Sequence, residues 1–471
     1  MRDHLRLMIN GRPVEVRGAD VFLPLATFLR KRRGLPGTKV VCAEGDCGSC
    51  SVFIGRPVDG EMRYTTVTSC IALMLQLDAT HIVTVEGLTP GDELSPIQDA
   101  LVKCQGTQCG FCTPGFVVAM TDTLRQPCDA HALRRGLVGN LCRCTGYDSI
   151  VRAGMAVDRE QLRTLDEMYP PDAVVDALPT DGFDLTDGSR RACKPTTIED
   201  ATAFLAEHDD ATIIAGGTDW GVLENKRYQR VKTALSIAGI DELGGISVEG
   251  NQLVVGAAAT LTELELITAE HLPNFSEYLA WFGSPPIKNG ATLAGNLVTA
   301  SPIGDTAGPL VALEAIVEIA GPTGRRSVSV EDFHTDYRVC DLRPGELVTA
   351  VRIPLLTADQ TLRCYKVSRR KDLDISSVSA AFRITLDGDT IDDIRIAFGG
   401  VGPTILRLRE TEAALIGKSA TLETFEAAGE VARDEVTPMT DVRGSETYRR
   451  TVVQRMFSKL FHDLPLAKEY A

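Results

Sequence analysis

Eight cysteines in two sets of four constrain this chain more than any other feature of its sequence. Cys42, Cys47 and Cys50 are spaced C-x4-C-x2-C, and Cys70 follows after nineteen intervening residues. Cys109 and Cys112 form C-x2-C, and Cys142 and Cys144 form C-x-C about thirty residues on. The chain has 13 cysteines, and only Cys193, Cys340 and Cys364 lie beyond residue 145. Disulfide frameworks belong to small secreted chains, whereas this one has 471 residues. Clustered thiols in a long chain read as metal ligands.

The first set has the plant-type spacing of a 2Fe–2S cluster. Two irons need two thiolates each, converging on one small rhomb. Gly45 and Gly48 let the loop curl and turn backbone N–H groups toward the sulfurs. A structural zinc site fits poorly, because it pairs one C-x2-C with a second close pair. The second set is less decisive, and its spacing alone leaves both 2Fe–2S and zinc open. Thr113-Pro114-Gly115 opens a helix directly after Cys112. The partial positive charge of a helix N-terminus suits anionic thiolates. Cys104 and Cys128 match no ligand position and read as small apolar packing residues.

Length predicts three or four domains. Two alternating runs around Asn10-Gly11 predict a hairpin over residues 5–16 with a type I′ turn. A helix is expected over Pro24–Arg33, stopped by Gly34, then strands at Ser51–Ile54 and His81–Val85. From Pro96 to Met168 the pattern is helical, with helices at Phe116–Leu124 and Ile150–Leu162. Residues 169–190 hold several Pro and Gly among five aspartates and read as an exposed linker. Beyond them come a helix at Thr197–Glu207 and strands at Ala211–Ala215, Gln252–Val255, Ile316–Ile319 and Val348–Ile353. The last segment starts with strands and ends in a helix over about Ser445–Leu460.

Two glycine-rich pieces lie in the α/β region. Ile213, Ile214, Ala215, Gly216, Gly217, Thr218, Asp219 and Trp220 form a strand running into a turn. Successive N–H groups there can cradle a pyrophosphate, although no complete G-x-G-x-x-G is present and an ordinary tight turn reads equally well. Asn289-Gly-Ala-Thr-Leu-Ala-Gly-Asn296, followed by Thr299–Asp305, has the small residues that let backbone approach a ligand, or simply pack a turn. The run Tyr365–Asp374 reads as a solvated charged face.

Gln108-Cys-Gly-Phe-Cys-Thr-Pro-Gly115 with Asn140-Leu-Cys-Arg-Cys-Thr-Gly-Tyr147 resembles the second iron–sulfur domain of the xanthine dehydrogenase and molybdenum hydroxylase family. Glu44-Gly-Asp-Cys-Gly-Ser-Cys50 resembles its first, and the two glycine-rich pieces resemble its FAD domain. The resemblance implies 2Fe–2S ligation by Cys42, Cys47, Cys50 and Cys70, and by Cys109, Cys112, Cys142 and Cys144. It places FAD contacts on residues 213–220, Phe282, Thr292, Leu293, Ala294, Gly295, Asn296, Asp305, Val348 and Lys366, with Phe282 against the flavin ring. Tyr337 and Asp374 fall where the family has its nicotinamide side.

The fold so implied is multidomain α+β. A β-grasp 2Fe–2S ferredoxin domain occupies 1–84, and an all-α four-helix 2Fe–2S domain 85–168. After the linker 169–190 come a two-part α+β FAD domain, 191–357, and a C-terminal α+β flavoprotein domain, 358–471. The family oxidises a purine at a molybdenum cofactor and sends electrons through two clusters and FAD to NAD+. Its molybdenum domains are far larger than what remains here. A molybdenum-binding large subunit is therefore the expected partner, in a heterotetramer of two copies of each. A related hydroxylase acting on an aldehyde or N-heterocycle, and a stand-alone iron–sulfur flavin reductase, are the alternatives. The net charge of −15 disfavours nucleic acid. A charged N-terminus and the lack of long apolar runs lead to the expectation of a cytoplasmic protein without membrane spans.

Overall fold

In the computed structural model, which describes residues 1–89, 91 and 93–464, β1 (Leu5–Ile9) and β2 (Arg12–Val16) pair antiparallel with Ile9 opposite Arg12. Asn10 and Gly11 both have positive φ, 48° and 75°, as a type I′ turn requires. The chain divides into two units, residues 1–241 with 284–291, and residues 242–283 with those from 292 on. Of the expected C-terminal domain, residues 465–471 lie outside the described residues.

The first unit begins with a five-stranded sheet ordered β2-β1-β5-β3-β4, where β3 is Ser51–Val58, β4 Glu61–Thr68 and β5 His81–Val83. The β1–β5 pair is parallel and the others antiparallel, giving a β-grasp. Helix α1 (Leu25–Arg32) packs Leu25, Phe28 and Leu29 into the core, and Gly34 leaves it at φ 67°. Four helices follow: α2 (Pro96–Lys103), α3 (Thr113–Thr123), α4 (Ala130–Gly136) and α5 (Asp148–Met155). The helix expected over Ile150–Leu162 ends early. The Asp158 carboxylate accepts the Glu160 N–H at 3.1 Å and starts a separate 3-10 turn.

The exposed linker expected at 169–190 is corrected. Residues Pro171–Ala177 are helical, and Phe183–Asp187 is a strand paired with Arg190–Lys194. Phe183 is fully buried and Leu185 nearly so, in one core with the β-grasp sheet. The polar Asp184 and Thr186 on the outward positions of this short strand hid its two inward apolar side chains. The hairpin joins the parallel strands Ala211–Ile214 and Thr233–Ser236 in a four-stranded sheet.

In the second unit, strands Ile246–Glu249, Gln252–Gly256, Leu347–Pro354, Ile316–Gly321 and Gly324–Ser329 form an antiparallel sheet in that spatial order. A second antiparallel sheet runs Gln360–Val367, Val378–Asp387, Thr390–Gly399, Leu406–Arg407. The helices Leu422–Glu435 and Glu446–Asp463 share its core through Phe425 and Phe457. Among the described residues no helix is long and apolar enough to cross a membrane.

One buried ion cluster ties the β-grasp sheet to the four-stranded sheet. The fully buried Asp78 carboxylate accepts from the Arg2 guanidinium at 2.8 and 2.9 Å and from Lys194 Nζ at 3.0 Å. Burial pushes its pKa up, but Arg2, Lys194 and the Arg6 N–H outweigh this and hold it below the usual carboxyl value. A depressed pKa contributes stability above the unfolded value, lost as pH falls through the folded one. Asp78→Asn is expected to cost about 3–5 kcal/mol at neutral pH, by leaving the buried Lys194 without its counter-charge and Arg2 with Asp181 alone. In urea titrations the gap from wild type should begin to close below about pH 4.

Candidate functional site

The loop between α1 and β3 carries Cys42, Cys47 and Cys50 and contains no regular structure. Gly45 and Gly48 take φ of 86° and 66°, which an L side chain resists, so the curl of the loop depends on them. Space forbids a side chain too: a Cβ at Gly48 would lie 2.5 Å from the Gly139 carbonyl oxygen. Hydroxyls and amides hold the loop carbonyls. Ser51 Oγ donates to Gly48 at 2.8 Å and Ser69 Oγ to Cys50 at 2.6 Å. Asn225 Nδ2 donates to Cys70 at 2.8 Å and Ala43 at 3.0 Å.

These contacts bring the four thiols together. Cys42 is within hydrogen-bonding reach of Cys47 and Cys70, and Cys50 of Cys70. Cys47, Cys50 and Cys70 are buried. The hydrogen bonds from Cys47 and Cys70 push the Cys42 thiol strongly down, while those with Cys42 and Cys50, added to burial, push Cys70 strongly up. Four thiols this close cannot all ionise without a cation among them, and a coordinating cation deprotonates thiols outright. A dinuclear cluster spreads four thiolates over two irons, and four cysteines are the donor set it takes.

The second set assembles around the start of α3. Cys112 reaches Cys142, and Cys109 reaches Cys144. Burial, then Cys142, pushes the Cys112 thiol up to about 12. The Cys142 N–H donates to the Tyr147 hydroxyl at 3.0 Å, and Tyr147 holds φ 71° to do so. Cys109 and Cys144 are exposed. The segments that carry the two sets meet at backbone carbonyls: the Leu141 N–H donates to that of Cys47 at 3.0 Å, and the Asn140 side-chain Nδ2 to that of Gly48 at 3.4 Å. A Cβ on Gly115 would lie 2.1 Å from the Gly48 oxygen, so only glycine lets α3 pack there. Cys104 and Cys128 pack, partly buried, against the helical core.

The first glycine-rich turn lies in the same unit. The strand Ala211–Ile214 runs into Gly216 and Gly217, and Gly217, at φ 66°, caps the helix Thr218–Arg227. A Cβ at Gly216 would lie 1.9 Å from the Gly290 oxygen. Gln76 Nε2 donates to the Ala215 carbonyl at 2.9 Å. Ile213, Ala215, Gly216, Gly217 and Thr218 are partly exposed and Asp219 is exposed. Ile214 is buried, and Trp220 packs partly buried against the same core.

In the second unit, Thr292 Oγ1 caps Leu293–Val298 by accepting the Gly295 N–H at 3.0 Å. Leu293, Ala294 and Val348 are buried, Gly295 is exposed, and Asn296 accepts from Thr306 Oγ1 at 2.6 Å. Asp305 and Lys366 are brought together at 2.7 Å, with side chains 3% and 5% exposed. The expected solvated face at Tyr365–Asp374 is thus corrected for Lys366, whose cation is buried against a carboxylate. Lys366 Nζ also lies 5.7 Å from the centroid of the half-buried Phe282 ring. Tyr337 is 57% exposed, and Asp374 binds Arg370. Sequence reasoning missed Tyr278 and Ser376, which donate to Asp305 Oδ1 at 3.2 and 2.5 Å. It also missed Asn225 and Gln76. No local pattern marks these four, since each acts on a partner far away in sequence.

Residues 84–155 match the [2Fe-2S] binding domain, residues 188–356 the FAD binding domain in molybdopterin dehydrogenase, and residues 363–464 the CO dehydrogenase flavoprotein C-terminal domain. Together these three domain matches support an iron–sulfur and flavin subunit of the molybdenum hydroxylase kind. It is 29% identical to xanthine dehydrogenase of Emericella nidulans over 98% of its length and 39% of that protein. It is 28% identical to aldehyde oxidase 2 of Macaca fascicularis, with the same coverage. It thus spans about two fifths of the curated relatives it matches. Among solved structures, a carbon monoxide dehydrogenase chain from Hydrogenophaga pseudoflava matches with TM-score 0.55 and 28% identity, over 58% of this chain and 96% of that one. Quinoline 2-oxidoreductase from Pseudomonas putida 86 matches with TM-score 0.53 and 27% identity, over 57% and 94%.

The Asp305 cluster makes a testable ranking. Asp305→Asn leaves Lys366 buried without a counter-charge and is expected to cost about 3–5 kcal/mol. Tyr278→Phe removes one donor to a charged acceptor and should cost about 1.5–3 kcal/mol. Denaturant melts of the two variants check the order.

Proposed function

We propose that this chain holds two 2Fe–2S clusters and one FAD and conducts electrons from a molybdenum site to a nicotinamide. The observation that carries the reading is the convergence of two four-cysteine sets in a chain that also matches a flavin-binding domain. Cys42, Cys47, Cys50 and Cys70 would hold one cluster, and Cys109, Cys112, Cys142 and Cys144 the other. The backbone of residues 213–220, with Phe282, Thr292–Asn296, Asp305, Val348 and Lys366, would hold FAD. Such clusters pass single electrons, and flavin takes up two and exchanges a hydride with a nicotinamide.

The chain's own residues do the positioning. Gly216 keeps its turn free of side chains, and the buried Asp305–Lys366 pair supplies fixed charge next to Phe282. Asn225 and Ser69 hold the carbonyls of Cys70 and Cys50, fixing where those thiolates point.

The proposed electron source is a molybdenum cofactor on a partner protein that oxidises hypoxanthine and xanthine, and the proposed acceptor is NAD+. The near-complete coverage by proteins named xanthine dehydrogenase supports the purine reading. A related hydroxylase is the second reading, favoured by the aldehyde oxidase and quinoline oxidoreductase matches.

Three outcomes test this. Cys47→Ala and Cys144→Ala should each remove the iron of one cluster and leave the other, read by iron content and visible absorbance. Full iron in either variant contradicts the ligand assignment. Gly216→Ala should lose flavin while keeping both clusters. Anaerobic NADH should bleach the flavin of the purified chain, whereas xanthine should do so only with the molybdenum partner present. Bleaching by xanthine alone, or none by NADH, contradicts the electron path.

A further inference from the structure

A cavity of about 430 Å³ opens in the first unit, away from both cysteine sets in sequence, between the turn of the β1–β2 hairpin, the end of α1 and Tyr169. Its size falls within the range of small-molecule sites. Its lining includes three arginines, Arg12, Arg33 and Arg163, and a single carboxylate, Glu86. Glu86 brings one negative charge against three positive ones, and its oxygens already hold neutral donors. One accepts the Gly37 N–H at 2.7 Å and the other the Thr84 hydroxyl at 2.6 Å. Among the described residues Arg163 donates only to the Glu167 carbonyl, at 3.2 Å. Arg12 and Arg33 make no side-chain hydrogen bond or ion pair among the described residues.

In a chain of net charge −15, three such guanidiniums around one concave site make a local positive field. The rest of the lining mixes the polar Asn10 and Thr89 with the apolar Ile9, Leu35 and Met168. The wall is already rigid. Tyr169 donates its hydroxyl to the Gly87 carbonyl at 2.8 Å, and its ring meets His81 edge-on at 4.7 Å. A preformed wall lowers the ordering cost of binding. Guanidinium forks match phosphate oxygens in pairs.

We propose that this cavity binds a small phosphate ester of mononucleotide size, with its phosphate between Arg12, Arg33 and Arg163 and its organic body against Ile9, Leu35 and Met168. The site is separate from the residues assigned to iron–sulfur and flavin binding.

Isothermal titration of the full chain, carrying its iron and flavin, with AMP as the probe tests the proposal. One saturable site per chain is expected, competed by inorganic phosphate. Arg12→Ala/Arg33→Ala should weaken it by at least about tenfold with iron and flavin contents unchanged. Arg12→Lys/Arg33→Lys, which keeps charge but loses the fork, should fall between. No saturable binding, unchanged binding in the alanine double variant, or tighter binding of citrate than of AMP would each overturn it. A wild-type chain lacking iron or flavin would instead overturn the proposed function and leave this site to be judged on its own titration.

Discussion

Thiols held in contact inside a folded protein set the terms for the first unit. Each set of four can be fully ionised only around a cation. Without one, the thiols share protons unequally, as the opposite shifts of Cys42 and Cys70 indicate. Much of the surrounding structure serves to keep the thiols where a cluster needs them. Gly45 and Gly48 allow the loop, Ser51, Ser69 and Asn225 hold its carbonyls, and Gly115 lets α3 lie directly on it. Asn225 sits on the helix that Gly217 begins, so one element links the cysteine loop to the glycine turn.

The second unit is organised by a different constraint, a buried carboxylate with three donors. Asp305 receives Lys366, Ser376 and Tyr278, which arise from a strand, a loop and a helix. A buried charge of this kind is tolerated only when paired and hydrogen-bonded, so it pins those three elements together. The consequence is a fixed cation beside the Phe282 ring.

The sequence made legible what depends on local pattern. The I′ turn at Asn10-Gly11, the amphipathic α1 and the final helix from about Ser445 follow from period and turn chemistry alone. The cysteine spacing carried the candidate centres because cluster geometry demands it. Failures came where long-range contacts override local signals. Phe183 and Leu185 lie in an aspartate-rich segment that looks like linker until the sheet supplies their partners. Lys366 sits in a basic run that looks solvated until Asp305, some sixty residues upstream in sequence, claims it. Asn225, Gln76, Tyr278 and Ser376 carry no motif, and only folding reveals what they touch.

The central claim is that both cysteine sets hold 2Fe–2S clusters. It is tested most directly by electron paramagnetic resonance of the dithionite-reduced chain, with iron and sulfide measured on the same sample. Two distinct spin signals of about one spin each, with about four irons and four sulfides per chain, are the predicted result. A single signal with about two irons, or zinc in the second set, would contradict it.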